Sequence, residues 1–179
     1  DLAVERGLVE FHRLRRIEQA EVAMRHVIDE LDPVNPDALA VLDDIYRQTG
    51  QTDHLIDVLR LRADVLVEDD ERITLKLRLA ELLVSTSQDD EAVRTYEEVV
   101  ELDVTTTDAL NALVDLYVAR EAWNELLEVY QKQTQVTEPG ANQAMVFAKM
   151  ARLASDALQR PEDAIEYWGE VLRIRGENR

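Results

Sequence analysis

The amino-acid sequence predicts an all-α fold, a right-handed α-solenoid of about ten antiparallel helices paired in five stacked hairpins. Three observations predict it. The composition is 46% hydrophobic but only 5% aromatic, so the core must rest on Leu, Val, Ile and Ala. Five Gly and four Pro in 179 residues leave little material for the tight turns of a β protein. Above all, the chain repeats itself, and a fixed internal period is the mark of a repeat architecture.

The repeat is read by aligning EQAEVAMRHVIDELD from Glu18, DEAVRTYEEVVELD from Asp90 and EDAIEYWGEVLRI from Glu162. Ala20, Ala92 and Ala164 stand 72 residues apart, as do Met24, Tyr96 and Trp168, and Val27, Val99 and Val171. A second pair of segments, beginning at Pro36 and Thr107, matches Leu39, Leu42 and Tyr46 with Leu110, Leu113 and Tyr117 at a spacing of 71. One insertion in a turn accounts for the difference, and insertions there cost little. Each super-repeat therefore holds two helical hairpins.

The opening DLAVERGLVEF already has helical periodicity, which places a first helix over about 1–15 and a second over about 17–31. Pro33 stops the second. Asn35-Pro36 reads as an N-cap followed by proline at the first helical position, opening a helix over 36–49 that Gly50 ends with a left-handed cap. Helices follow at about 52–67 and 70–86. The wide stripe Ala92, Val93, Tyr96, Val99 and Val100 marks a helix over 89–103 buried between neighbours. Further helices are expected at 106–119 and 122–136, then at 141–158 after the irregular QVTEPGANQ, and at 161–175 behind Pro161. The links suit only antiparallel neighbours. The hairpins run at about 1–33, 34–68, 69–104, 105–138 and 139–179, as one solenoid that is expected to be a fragment of a longer repeat protein.

These positions resemble the tetratricopeptide repeat. With Thr107 as its first position, Leu110, Leu113, Tyr117 and Tyr130 fall on the large, leucine, tyrosine and aromatic positions. Ala80, Ala92 and Tyr96 fit the small, alanine and aromatic positions of the preceding hairpin. Small residues let the two helices of a hairpin approach, and large ones fill the space between hairpins. Asp43 and Val114 replace the small residue of the first helix, Leu55 and Leu126 the alanine of the second, and Val104 the usual proline. Sister helical solenoids, half-a-TPR or HEAT-like, fit so degenerate a pattern too. The alternation of hairpin types resembles long bacterial tetratricopeptide scaffolds.

No catalytic or metal constellation stands out, and no cofactor is expected. His12, His26 and His54 lie on different helices without ligand spacing, and Asp43-Asp44, Asp69-Asp70 and Asp89-Asp90 lack the alternation and glycine of a calcium loop. The chain has no Cys, no glycine-rich phosphate loop and no nucleophile elbow. An enzyme is not expected. Trp123, Trp168, Met24, Met145 and Met150 read as packing residues. Nucleic-acid binding is disfavoured by a formal charge of −18 and the absence of a basic stripe. No stretch approaches the roughly 18 apolar residues of a membrane span. Compartment is not fixed, with cytoplasm slightly favoured over periplasm.

The resemblance implies a protein-binding scaffold whose first helices line a concave groove. Carried over by register, it places Asp37, Asp44 and Arg47 there, then Glu81, then Asp108, Asn111 and Asp115, with Arg152 near the last hairpin and Arg13 near the first. The Lys-and-Asn pairs of chaperone-binding members are missing. The acids imply a neutral to basic protein or peptide partner. Two other roles fit the same sequence: a spacer in a longer solenoid, or a regulatory module of an enzyme whose catalytic domain lies elsewhere. Apolar residues persist in the last helix at Ile165, Trp168, Val171 and Leu172, which suggests self-association through uncapped ends.

Overall fold

The computed structural model describes residues 2–12 and 16–177. Among them ten α-helices follow one another, with no strand: α1 Leu2–His12, α2 Ile17–His26, α3 Pro36–Thr49, α4 Thr52–Val65, α5 Asp69–Ser85, α6 Asp89–Leu102, α7 Thr107–Ala119, α8 Trp123–Val136, α9 Ala141–Asp156 and α10 Pro161–Glu177. Each lies where the periodicity places it, with ends shifted by a few residues. The tail of α2 widens into a π turn over Val27–Leu31, closed by the Asp32 amide on the Val27 carbonyl at 2.8 Å.

The helix signals act as their chemistry requires. Asn35 Oδ1 accepts the Ala38 amide at 3.0 Å, with Pro36 in the first turn, and Gly50 ends α3 at φ 69°. The first turns of α5 and α6 each carry Asp-Asp-Glu, which favours the positive end of the helix dipole.

The chain divides into two compact units, Asp1–Thr95 and Tyr96–Arg179, the division falling within α6. In the first, α1 packs on α2, α2 on α3, α3 on α4 and α4 on α5. Its core includes Met24, Leu39, Ile45, Ile56, Leu59 and Leu83, all essentially sealed from solvent. In the second, α7 packs on α8, α8 on α9 and α9 on α10, around Leu110, Leu113, Met150 and Val171. Each such side chain contributes roughly 1.5–3 kcal/mol through burial.

The repeat columns explain the packing. Ala20, Ala92 and Ala164 are buried, as are Val27, Val99 and Val171. Gly7 takes the small position of α1, where an added Cβ would fall on the terminal methyl of Met24. One column breaks. Met24 and Tyr96 are buried, but Trp168 is exposed, as are Ile165 and Leu172 on the same helix. Its expected packing role is therefore corrected. Met145 is corrected too: it is exposed, whereas Met24 and Met150 fill the core. Trp123 is half-buried.

Candidate functional site

The first helix of each hairpin turns one face to solvent, and the residues expected to line a groove lie on it. In the first unit Asp37, Arg47 and Glu81 are exposed and Asp44 is half-buried. Arg47 pairs with Asp44 one turn away. Asp44 and Glu81 both act on Arg78. Its guanidinium is held above its ordinary pKa first by hydrogen bonds to Asp43, then by the charges of Asp43, Asp44 and Glu81. Two of the expected acids thus gather around one cation. Arg13 lies outside the described residues.

Beneath them is a buried ion cluster. Asp43, on α3, is 3% exposed and accepts from Arg62 of α4 and from Arg78 of α5. The Arg78 bonds measure 2.9 and 3.1 Å. The register identifies Asp43 only as a departure from a small residue. Neither arginine has a sequence signal pointing to it, since the contacts span 19 and 35 residues.

In the second unit Asp108, Asn111, Asp115 and Arg152 are all exposed. Of these, Asn111 lines a cleft of about 300 Å³ between α7, the end of α8 and α9. Leu110, Val136, Met145 and Val146 give it an apolar surface, and Gln133 and Lys149 a polar one. Gln133 Nε2 donates to Asn111 Oδ1 at 3.1 Å, which orients the amide. Lys149 sits 5.6 Å from the Tyr130 ring centre. Burial raises the pKa of Tyr130, and the charge of Asp115 raises it further. The carboxylates Asp108 and Asp115 lie on the same helix as Asn111, but the cleft wall itself is amide, methyl and ammonium. Lys149, Met145 and Gln133 were not legible as site residues, because their meeting depends on how α7, α8 and α9 cross.

The repeat also places one polar contact twice. Arg25 Nε of α2 donates to the Tyr46 hydroxyl of α3 at 2.8 Å, and the Tyr117 hydroxyl of α7 donates to Glu97 Oε1 of α6 at 2.6 Å. The residues are equivalent and the charge is reversed. Burial pushes the Tyr117 phenol well up, and the bond to Glu97 pushes it further. Among the described residues, no group of three His, Cys, Asp or Glu could hold a metal ion, and no helix is long and apolar enough to cross a membrane.

Residues 74–110 match a family model described as tetratricopeptide repeat. No curated protein sequence matches the chain. Among solved structures, MamA (AMB-1) is 18% identical over 98% of this chain and 91% of its own, with a TM-score of 0.54. YrrB, a TPR protein with an unusual peptide-binding site, is 17% identical over 97% and 85%, with a TM-score of 0.52. A Podosopora anserina protein with nearly identical TPR-like repeats is 18% identical over 99% and 95%, at 0.50. Likeness at this identity establishes fold. Residues 74–110 carry the sequence pattern of the tetratricopeptide repeat, and the chain shares the all-helical fold of these solved structures.

Proposed function

We propose that the chain is a protein-interaction scaffold that holds a peptide or an extended segment of another subunit against the exposed faces of its first helices. The cleft between α7 and α9 carries this conclusion. An exposed methionine, 55% accessible, stands beside an oriented amide and a lysine. An apolar anchor flanked by a few polar groups is how peptide grooves combine affinity with register. Val118, on α7 as well, is a further exposed apolar side chain of this unit.

The partner is neutral to basic. Asp108 and Asp115 lie exposed on α7, and the formal charge of the chain is −18. Carboxylates on one face reinforce one another and steer a cationic segment toward it. The test is fluorescence polarisation with labelled extended peptides of basic, neutral and acidic charge, each carrying a leucine anchor. The basic set should bind best and weaken as salt rises past the point where screening acts over about 8 Å. Met145→Glu should abolish binding, and Asp108→Lys with Asp115→Lys should weaken it severalfold. Preference for the acidic set, or indifference to both changes, would overturn the proposal.

A further inference from the structure

The first helices of the hairpins sort their charges differently in the two units. In the first unit α3 and α5 each mix acids with bases, and their arginines are taken up. Arg47 pairs with Asp44, Arg72 with Asp69 and Arg78 with Asp43. In the second unit the signs are separated by helix. Over Thr107–Ala119, α7 carries the acids Asp108 and Asp115 and no Lys or Arg. Over Ala141–Asp156, α9 carries Lys149 and Arg152 and no acid until Asp156, its last residue. Asp108, Asp115, Lys149 and Arg152 are all exposed, and among the described residues none of them is in an ion pair. Asp156 follows Arg152 by one turn and does not reach it. Two cations left without an acid stand out in a chain of formal charge −18.

The two sets of charges border one cleft. Asp108 and Asp115 lie three residues before and four after Asn111, so the three share a face of α7. Lys149 follows Met145 by four residues and Arg152 follows it by seven, which puts them together on one face of α9. Asn111, Met145 and Lys149 line the cleft of about 300 Å³ between these helices. Tyr130 of α8 ties the two sides together. Lys149 Nζ stands 5.6 Å from its ring centre, and the charge of Asp115 adds to burial in raising its phenol pKa. The cleft thus has an apolar lining, an acidic rim on α7 and a basic rim on α9.

We propose that the segment held at this cleft is bipolar, with a basic residue over α7, an apolar anchor in the cleft and an acidic residue over α9. This rests on the reading of the α7–α9 cleft as a peptide site and adds the arrangement of charge that the site selects. Packed helices stand about 8–10 Å apart, and an intervening cleft holds them further. An extended chain advances about 3.3 Å per residue, so cation and anion belong about four residues apart with the anchor between them. The segment stays neutral to basic as a whole. Rims of opposite sign also fix its register, because the reverse placement sets like charges against one another.

Fluorescence polarisation on the whole 179-residue chain tests it, with labelled peptides that share a central leucine. Their flanks are lysines on one side and glutamates on the other (made in both orders), lysines on both sides, glutamates on both sides, or serines. The tighter bipolar peptide should bind roughly fivefold better than the all-lysine one, as two further exposed ion pairs imply, and the gap should close at high salt. Lys149→Glu with Arg152→Glu makes both rims acidic and should give the lead to the all-lysine peptide. Asp108→Lys with Asp115→Lys makes both rims basic and should give it to the all-glutamate peptide. Reversing all four charges should return the lead to a bipolar peptide. All four positions are exposed, so helicity by circular dichroism should not change. Suppose leucine peptides bind and Met145→Glu removes them, yet the bipolar pair gains nothing or the reversals leave the ranking as it was. The bipolar reading then falls while the peptide site stands. If no peptide of any charge binds, both fall.

Discussion

Asp43 sits where the tetratricopeptide pattern prefers a small residue, and the two possibilities for it make opposite forecasts. If the position only tolerates a carboxylate, Asp43→Ala should restore closer helix packing and stabilise. The geometry argues otherwise. The carboxylate is sealed from solvent and takes hydrogen bonds from two arginines on two other helices, so it joins α3, α4 and α5. Removing it would leave two guanidinium groups facing a void. Breaking a fully buried ion pair costs about 3–5 kcal/mol, but these arginines are a quarter to a third exposed and can recover some hydration. A loss of about 2 kcal/mol is expected for Asp43→Ala in urea unfolding. Arg78→Ala combined with it should cost less than the two separate losses, which a double-mutant cycle measures. An unchanged or raised midpoint for Asp43→Ala would show that the cluster does not hold these helices. Tyr46 and Tyr117 teach the related lesson that the repeat conserves a contact rather than a charge. Arg25 serves one tyrosine as donor and Glu97 serves the other as acceptor.

At the scale of the helix and its turn, most of the fold was legible in the sequence, and the exceptions have physical causes. Proline, asparagine and the alanine columns act within a few residues, so Asn35-Pro36 and Pro161 mark helix starts without any tertiary context. The turns between the two helices of a hairpin were only partly legible. Gly50 announces a left-handed cap, but Ser87 and Glu121 occupy the same conformation, at φ 59° and 54°, without being glycine. The six-to-one bonds are alike in all three, from Gln51 to Tyr46, from Gln88 to Leu83 and from Ala122 to Tyr117, at 2.8–3.0 Å. The helix–helix packing on either side sets the turn, and it overrides the local preference of these side chains. Left-handed geometry costs an L-residue roughly 1–2 kcal/mol, while glycine loses more entropy on folding. Glu121→Gly should therefore stabilise the chain by about 0.5–1 kcal/mol, read from thermal or urea unfolding. A destabilisation of that size would mean the turn does not need the left-handed residue.

For the molecule as a whole, the sequence located the exposed faces better than the place where they close into a site. Asp37, Asp44, Arg47, Glu81, Asp108, Asn111, Asp115 and Arg152 are all exposed or half-buried. A cleft, by contrast, is made by helices crossing, and no linear pattern encodes that Lys149 and Met145 meet Asn111. Charge is the other property of the whole chain, and it bears on stability. There are 38 acidic and 20 basic residues, so the acids outnumber their possible basic partners by 18. Two effects of salt then compete. Screening weakens the attractive pairs, of which Asp43 with Arg62 and Arg78 are the most sheltered among the described residues. It also weakens repulsion among the remaining acids, many of which are exposed. Sheltered pairs are screened less than exposed charges, so relief of repulsion should win. Melting followed by circular dichroism should show Tm rising by a few degrees between 20 and 300 mM sodium chloride, a shift that corresponds to about 1 kcal/mol for a chain of this size. The protein concentration must be the same at every salt concentration, because association of any kind would move Tm on its own. A Tm that falls across this range would mean the ion pairs outweigh the excess charge, and the surface acids would then be structural members of the fold.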